Sequence, residues 1–569
     1  MTDGIDVNGN RPPSEVEGIK WRSRFLRGTL EESLANGVTG AVTEDDTQLT
    51  KFHGIYQQDD RDIRAERSEQ KLEPAYMFMI RIRIPGGIMT PAQWLAVDEI
   101  AQAYGSGTAR LTTRQAIQLH GVLKRHLKPA MRAINDAGLT TIAACGDVNR
   151  NVVCTPLPER SALHGVVYGH ALEVVEHLAP RTGAYRELWT DAPKTAAAGT
   201  DEEPLYGQVY LPRKFKVGFV VPPLNDIDIF AQDLGFIAIE RAGKLAGFNV
   251  AVGGGLGMTH GDPKTYPRLA EPIGFCEPQQ VVAVAEHVVG IQRDFGDRSE
   301  RSHARFKYTI DDRGIDWLKQ ELERRLGFAL RAAAPVKFVH SGDPLGWVRG
   351  DDGHHHLTLF VPSGRVVDTD EHRFRSGINE IARIHGGDFR VTANQNLIVG
   401  RVPAKDVERF DAIVKAHGLD LYERLRPLRR NAMSCVALPT CGLAMAESER
   451  YLPELLGKIE PLLAKHGLED EDILLRVTGC PNGCARPYVA EIALVGKAPG
   501  RYNLFLGGGL AGERLNELHA QNLPETEILR RLDELFADFA GRRTPGEPFG
   551  DFLRRSGIVG GAGGERVIA

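Results

Sequence analysis

Met79-Ile-Arg-Ile-Arg-Ile-Pro-Gly-Gly87 alternates in the two-residue period of a strand and stops at a proline–glycine turn. A helical pattern follows over Pro91–Tyr104, then a second strand-like run, Ala109-Arg-Leu-Thr-Thr-Arg-Gln-Ala-Ile-Gln-Leu119. The same order returns far along the chain. His356-Leu-Thr-Leu-Phe-Val-Pro-Ser-Gly364 is the strand and turn, Phe374–His385 the helix, and Phe389-Arg-Val-Thr-Ala-Asn-Gln-Asn-Leu-Ile-Val399 the second strand. Two copies of a strand–helix–strand unit predict an α+β fold in which a pseudo-twofold pair folds together. Arg83 aligns with Phe360 and Arg114 with Asn394. Only one copy keeps its cations, so one active site is expected rather than two.

Between the copies lies a long insert, 146–345. It carries strand signals at Phe219-Val-Val-Pro-Pro and Phe248-Asn-Val-Ala-Val, and helical stretches near 278–293 and 313–332. After 421 a last unit carries helices expected at Leu443–Lys465 and near Glu525–Phe539. Residues 1–50 are polar and read as an extended arm, with a short helix around Trp21–Leu34. The charged run Lys51–Leu72 reads as a solvated helix.

The chemistry is concentrated in four cysteines, Cys435 and Cys441, then Cys480 and Cys484. Their gaps are five and three residues, out of only seven cysteines in the chain. A structural zinc knuckle prefers two-residue gaps. The wider loops favour an iron–sulfur cluster over zinc or disulfides. Cations gather elsewhere: Arg83, Arg110 and Arg114; Arg150 in Gly146-Asp-Val-Asn-Arg-Asn; Arg213, Lys214 and Lys216 in Leu211-Pro-Arg-Lys-Phe-Lys; Arg305 and Lys307 in Arg301-Ser-His-Ala-Arg-Phe-Lys. In a strand alternate residues share a face, so Lys214 and Lys216 point together, as do Arg81 and Arg83. Burying such a set needs compensating anions.

The chain has 569 residues, 42 % hydrophobic and 25 % charged, with net charge −5 and pI near 6.4. That length suggests about four domain-sized units. The charge gives no footprint for nucleic acid. No apolar run reaches the roughly 18 residues of a membrane span. Few cysteines and a polar N-terminus lead us to expect a reducing cytoplasm.

The run Cys435-Val-Ala-Leu-Pro-Thr-Cys, Leu443-Ala-Met-Ala-Glu and Val477-Thr-Gly-Cys-Pro-Asn-Gly-Cys resembles the sirohaem-dependent sulfite and nitrite reductases. Phe52-His-Gly-Ile-Tyr-Gln-Gln-Asp-Asp-Arg-Asp-Ile-Arg-Ala-Glu-Arg and Gly496-Lys-Ala-Pro-Gly-Arg-Tyr-Asn-Leu are similar to the assimilatory, NADPH-dependent branch. Gly442 departs from the family's proline, and Arg486-Pro-Tyr from its smaller residues. The resemblance implies a pseudo-twofold pair of ferredoxin-like half-domains, with two larger α/β sirohaem and iron–sulfur domains around a central cofactor. Its divisions would be a partner-contacting arm at 1–80, half-domains at 81–145 and 346–420, a sirohaem and substrate domain at 146–345 and a cluster domain at 421–569.

It further implies six-electron reduction of sulfite to sulfide for cysteine biosynthesis. Electrons would come from NADPH through a flavoprotein (alpha) subunit that holds the flavins. Cys435, Cys441, Cys480 and Cys484 would ligate a 4Fe-4S cluster, with Cys484 bridging to the sirohaem iron. Arg83, Arg150, Lys214 and Lys216 would hold sulfite. Arg110, Arg114, Gln118, His120, Asn149, Arg213, Arg305, Lys307, Gln395 and Asn482 would hold sirohaem. The alternatives are a ferredoxin-dependent sulfite reductase, a sirohaem nitrite reductase, or an electron-transfer protein without a reaction centre.

Four features invite other readings. Gly507-Gly-Gly-Leu-Ala-Gly fits a dinucleotide fingerprint, but the next stretch, through Asn516-Glu-Leu-His, reads as helix rather than strand, so a turn against a flat cofactor is preferred. Gly253-Gly-Gly-Leu-Gly is read the same way. His354, His355 and His356 are expected at a strand start, and Cys145, Cys154 and Cys276 as small buried residues.

Overall fold

The computed structural model describes residues 12–156, 161–190, 201 and 203–560. The two strand–helix–strand copies form two five-stranded antiparallel sheets. The first runs Ile55–Asp59, Tyr76–Ile82, Ile117–Val122, Ala109–Leu111 and Arg365–Val366; the second Gly346–Arg349, His355–Leu359, Leu397–Val402, Asp388–Val391 and Ile88–Met89. Each sheet is completed by a two-residue strand from the other copy. Arg365 pairs with Arg110, and Ile88 with Arg390.

The exchange explains the repeated turn. Pro85–Gly87 and Pro362–Gly364 have the same left-handed middle residue, Gly86 at φ 57° and Ser363 at φ 52°. The last glycine of each passes over the partner copy. A Cβ on Gly87 would lie 2.2 Å from the Val391 carbonyl, and one on Gly364 would lie 2.4 Å from that of Leu111. Only glycine fits both the conformation and the contact.

The helix Pro91–Tyr104 begins with a Thr90–Gln93 capping box and proline in its first turn. It packs on Phe374–Ile384, where Trp94 donates to Asn379 at 3.0 Å and Arg375 pairs with Asp98 at 2.7 Å. Trp94, Ile100, Phe374, Ile378 and Phe389 belong to one buried core. The two copies therefore fold as one body.

The duplication reaches further than the sequence suggests. The insert's sheet places Val153–Cys154, Val217–Val220 and Leu234–Arg241 in parallel, then Lys244–Val252 and Glu271–Cys276 antiparallel. The C-terminal sheet repeats this with Met433–Ser434, Leu475–Thr478 and Ile492–Ala498, then Arg501–Leu506 and Glu517–Leu523. Gly253-Gly-Gly-Leu and Gly507-Gly-Gly-Leu follow the fourth strand of each.

Several expectations are corrected. Asn516–His519 does not open a helix; Glu517–Leu523 is an edge strand paired to Arg501–Leu506. The helix expected from Leu443 starts at Leu452, because the preceding residues turn back to bond Met445 and Ala446 to the Gly479 carbonyl. Within Lys51–Leu72, Ile55–Asp59 is a strand of the first sheet and only Arg64–Glu69 is helical.

The polar N-terminal arm is folded over its described part, with helices Glu15–Arg22, Leu30–Ala35 and Glu44–Leu49; residues 1–11 lie outside the described residues. The single helix expected over Trp21–Leu34 is broken by positive φ at Arg24, Phe25 and Leu26. Ser23 Oγ accepts from the Leu26 amide there, and Arg27 pairs with Glu187 and Asp201. The histidine run starts a strand at His355 as expected, and Cys145, Cys154 and Cys276 are buried.

Candidate cofactor and anion-binding site

Cys435 and Cys480 lie just beyond the carboxyl ends of Met433–Ser434 and Leu475–Thr478, two adjacent parallel strands. Open α/β sheets bind ligands at that edge. Cys441 comes from the loop after Cys435, and Cys484 from the turn Cys480–Cys484, where Gly483 has φ 64°. Backbone and amide donors already point at sulfur: Gly479 N–H to Cys435 Sγ at 3.3 Å, and Asn482 Nδ2 to Cys480 Sγ at 3.6 Å. Arg61 holds the Cys441 loop through the Cys441 and Ala444 carbonyls, at 3.1 and 2.5 Å.

Burial, then the charge of Cys484, pushes Cys435 up to about 12 and Cys480 up to about 11. Cys441 is raised for the same reasons. Cys435, Cys441 and Cys480 thus sense Cys484 and would stay protonated without a cation among them. A bound metal reverses that balance. Among the described residues no three His, Cys, Asp or Glu side chains are close enough to share one ion. Four convergent thiols at wider spacing, with donors aimed at sulfur, fit a multi-iron cluster better than a zinc ion.

Cys484 is the exposed member of the set. Its carbonyl accepts from Thr113 Oγ1 at 3.0 Å, beside Arg114. Its charge is felt by Arg81 and Lys214. Cys484 therefore marks the boundary between the thiols and a cationic pocket.

Those cations divide according to their anions. Arg305 is neutralised within the chain by Asp233, at 3.0 and 3.1 Å. Arg110 pairs with Glu449 at 2.9 Å, and Arg301 and Arg213 with Asp147 at 3.0 and 3.9 Å. Lys307 spends its ammonium on the carbonyls of Gly255, Gly257 and Tyr266. It fixes the Gly253–Gly257 loop against the cysteine turn, where Met258 N–H meets the Pro481 carbonyl at 2.9 Å. Substrate and cofactor are thus not the only anions available, and Arg305 has its own counter-ion.

Arg81, Arg114, Arg150, Lys214 and Lys216 keep no carboxylate partner among the described residues. Arg114 donates to Gln232 Oε1 at 2.8 Å and to the Asn151 and Val217 carbonyls. Arg150 donates to the Ala144 carbonyl at 2.8 Å. Arg81 donates to Cys145 Sγ at 2.7 Å. The side chains of Lys214 and Lys216 make no hydrogen bond or ion pair among the described residues. Burial, then Arg213, Arg305 and Arg150, push Lys214 down to about 7. Burial and Arg305, Arg114 and Lys214 hold Lys216 well below the ordinary lysine range. Buried cations that repel one another and lack anions form a site for an anion.

Arg83 lies elsewhere. The strand ends at Ile82, so the two-residue period no longer holds at Arg83, which bridges to Thr140 instead. Its guanidinium reaches the Val175 carbonyl at 3.4 Å, in the last turns of the helix Ser161–His177. Helix C-termini attract cations. Arg81, passed over in the sequence reading, faces the pocket; it sits opposite Gln118 in register, and Gln118 opposite Arg110. Tyr56 joins this wall, its ring 5.9 Å from the Arg81 guanidinium.

The polar lining around these cations is unsatisfied. Both side-chain amide atoms of Asn149, both ring nitrogens of His120, Gln118 Oε1, Gln395 Oε1 and Arg114 Nε are buried without a partner. Such orphans are rare in native proteins and call for a ligand or ordered water. Burial, then Arg365, Arg110 and Arg81, keeps His120 neutral. Gln395 Nε2 and Arg110 Nη2 both donate to the Ser434 carbonyl at 2.9 Å, next to Cys435. A polar, cation-rich lining with unspent donors, bordered by a glycine loop, fits a large carboxylate-bearing macrocycle.

Comparison with known proteins bears on this arrangement. The family described as nitrite/sulfite reductase ferredoxin-like half domain matches residues 69–137 and 348–417. The family described as nitrite and sulphite reductase 4Fe-4S domain matches residues 174–330. That span holds only Cys276; the four-cysteine set lies in the second copy of its topology. The sulfite reductase [NADPH] hemoprotein beta-component of Anoxybacillus flavithermus is 58 % identical, covering 96 % of each chain. Its counterparts from Geobacillus kaustophilus and Myxococcus xanthus are each 57 % identical, covering 96 % of this chain and 96 % and 97 % of their own. The solved structure of Mycobacterium tuberculosis NirA protein shares the fold, with TM-score 0.77, 24 % identity and 97 % of each chain covered.

Proposed function

The chain belongs to the nitrite and sulphite reductase family, is an oxidoreductase carrying sirohaem and a 4Fe-4S cluster, and on that premise we propose that it reduces sulfite to sulfide. The observation that supports this most is the group Arg81, Arg114, Arg150, Lys214 and Lys216, left without carboxylate partners beside Cys484. Arg81 takes the place first given to Arg83.

When bound, the two groups would relay electrons from an external donor to sulfite, six in all; Cys435, Cys441, Cys480 and Cys484 are the residues that would hold the cluster. The chain supplies the rest. Arg81, Arg150, Lys214 and Lys216 hold the anion and stabilise charge on the leaving oxygens. Lys214 and Lys216, with lowered proton affinity, give up protons as oxygen departs as water. Asn149, Gln118, His120 and Arg114 hold the macrocycle. Anaerobic turnover with reduced methyl viologen tests the reading: kcat/KM should be higher for sulfite than for nitrite. Nitrite turnover without sulfide formation from sulfite would refute it.

The pH dependence has a definite sign. Lys214, at about 7, is charged below neutrality and loses its charge as pH rises. Anion binding is then strongest in acid and weakens above that point. Sulfite also ionises near neutrality, so the wild type must be compared with Lys214→Arg, whose guanidinium stays charged. The variant should lose the part of the KM rise above pH 7 that belongs to the lysine. Superimposable profiles would exclude Lys214 from binding.

We also propose that NADPH electrons arrive through a flavoprotein (alpha) partner, in the cytoplasm, and that the sulfide enters cysteine biosynthesis. The relatives' name, a beta-component, supports the partner. The segment 1–80 is our candidate contact, since exposed Trp21, Val38, Ile63 and Leu72 all lie there. The purified chain should not oxidise NADPH alone and should do so, sulfite-dependently, once the flavoprotein is added. Steady NADPH oxidation without it would overturn this.

A further inference from the structure

We infer that Glu17 and Lys20, on the N-terminal helix Glu15–Arg22, are positioning residues for the anion site, bracing the two loops that carry Arg150, Lys214 and Lys216. This rests on the sulfite-binding reading of that site.

Those loops are joined through the backbone. Leu211 N–H donates to the Asp147 carbonyl at 3.0 Å, Phe215 N–H to Val148 at 3.0 Å, and Arg150 N–H to Phe215 at 2.8 Å. They move as one unit, so what holds one end sets the position of the cations at the other.

The N-terminal helix grips that unit with fully buried charge. Lys20 and Glu17 are 0 % and 1 % exposed. Lys20 Nζ meets Glu17 at 2.5 Å, donates to the Leu211 carbonyl at 2.8 Å and lies 3.7 Å from Asp147. The second Glu17 oxygen takes Arg298 at 2.6 Å, and Arg298 donates to the Tyr210 carbonyl at 2.8 Å. Both carbonyls at the head of the Leu211–Lys216 loop are therefore held by one network. Asp147, at the head of the other loop, joins it through Lys20, Arg301 and Arg213. Burial opposes its ionisation, but Arg301, Lys20 and Arg213 outweigh that and keep the carboxyl far below the usual range.

A network satisfied at every member rigidifies what it holds. The cations of the pocket repel one another, so their loops need an external brace. The helix supplies it without touching substrate. Misplacing binding groups by about 1 Å from a distant mutation costs up to ~10²-fold.

The test uses the cofactor-loaded full chain, Lys20→Met and the double variant Glu17→Gln/Lys20→Met. Lys20→Met leaves Glu17 paired with Arg298 and Asp147 paired with Arg301, so it strands no carboxylate; the double variant removes both charges of the Glu17–Lys20 pair and leaves Arg298 on the Tyr210 and Arg293 carbonyls. Iron and sirohaem content, sulfite KM and kcat, and the sulfite Kd from the visible spectrum are measured. We expect wild-type cofactor content, with KM and Kd raised on the order of 10-fold or more and kcat changed far less. Unchanged KM and Kd with cofactors retained would overturn the inference. So would loss of cofactors in both variants, which would make the network purely structural. Wild-type turnover of nitrite but not sulfite would fail the substrate reading alone; the same shift read on nitrite would still uphold the brace.

Discussion

Cys484→Ser is expected to yield a protein without sulfite reductase activity that retains neither cofactor in full. Cys484 is the one exposed thiol of the four, and the one whose charge reaches Arg81 and Lys214 across the pocket boundary. A serine hydroxyl is a poor ligand for iron, which favours soft thiolate. Cys435→Ser provides the contrast. Its sulfur accepts from the Gly479 amide, and the cation beside it, Arg110, is already paired with Glu449. It should lower cluster iron and sulfide more than sirohaem. Iron, acid-labile sulfide and sirohaem measured in both variants decide the point. A Cys484→Ser protein with full cofactor content and a normal spectrum would rule out Cys484 as the thiol proposed to serve both groups.

Arg81→Ser and Lys216→Ala are expected to lower sulfite turnover on the order of 10²–10³ with both cofactors retained. Neither cation has a carboxylate partner among the described residues, which fits the substrate role proposed for them. Arg83→Ser should do much less, because its guanidinium lies against the Val175 carbonyl. Arg305→Ala serves as a different control. Removing it strands Asp233 as a buried, uncompensated carboxylate, which typically costs about 3–5 kcal/mol. It should lower stability and weaken sirohaem retention together. Sirohaem occupancy beside sulfite rate, for all four variants, separates these roles. A wild-type rate for Arg81→Ser, or a loss of rate confined to Arg83→Ser, would restore the strand-period assignment.

The half-domain pair was legible because its turn is constrained twice, by left-handed geometry and by backbone contact with the other copy. Pro-Gly-Gly and Pro-Ser-Gly therefore recur visibly. The second duplication was not, because its parallel strands share topology without sharing residues; only the two Gly-Gly-Gly-Leu runs betray it. The cysteines could be read from spacing, since ligation constrains it. The division of the cations could not. Asp233, Asp147 and Glu449 neutralise Arg305, Arg301 and Arg110 from distant parts of the chain. The exchange of Arg83 for Arg81 turns on one strand ending at Ile82, which the alternating pattern runs past. The N-terminal segment looked extended because its buried contacts are charged: Glu17 and Lys20 are residue types that favour the surface, yet both lie inside the protein.

The most direct measurement is a crystal structure of the cofactor-loaded protein with sulfite. Sulfite is expected beside Cys484 with its oxygens within hydrogen-bond distance of Arg81, Arg150, Lys214 and Lys216, while Arg83 stays on the Val175 carbonyl and Arg305 on Asp233. Sulfite bound away from the five uncompensated cations, or held by Arg83 in place of Arg81, would contradict it.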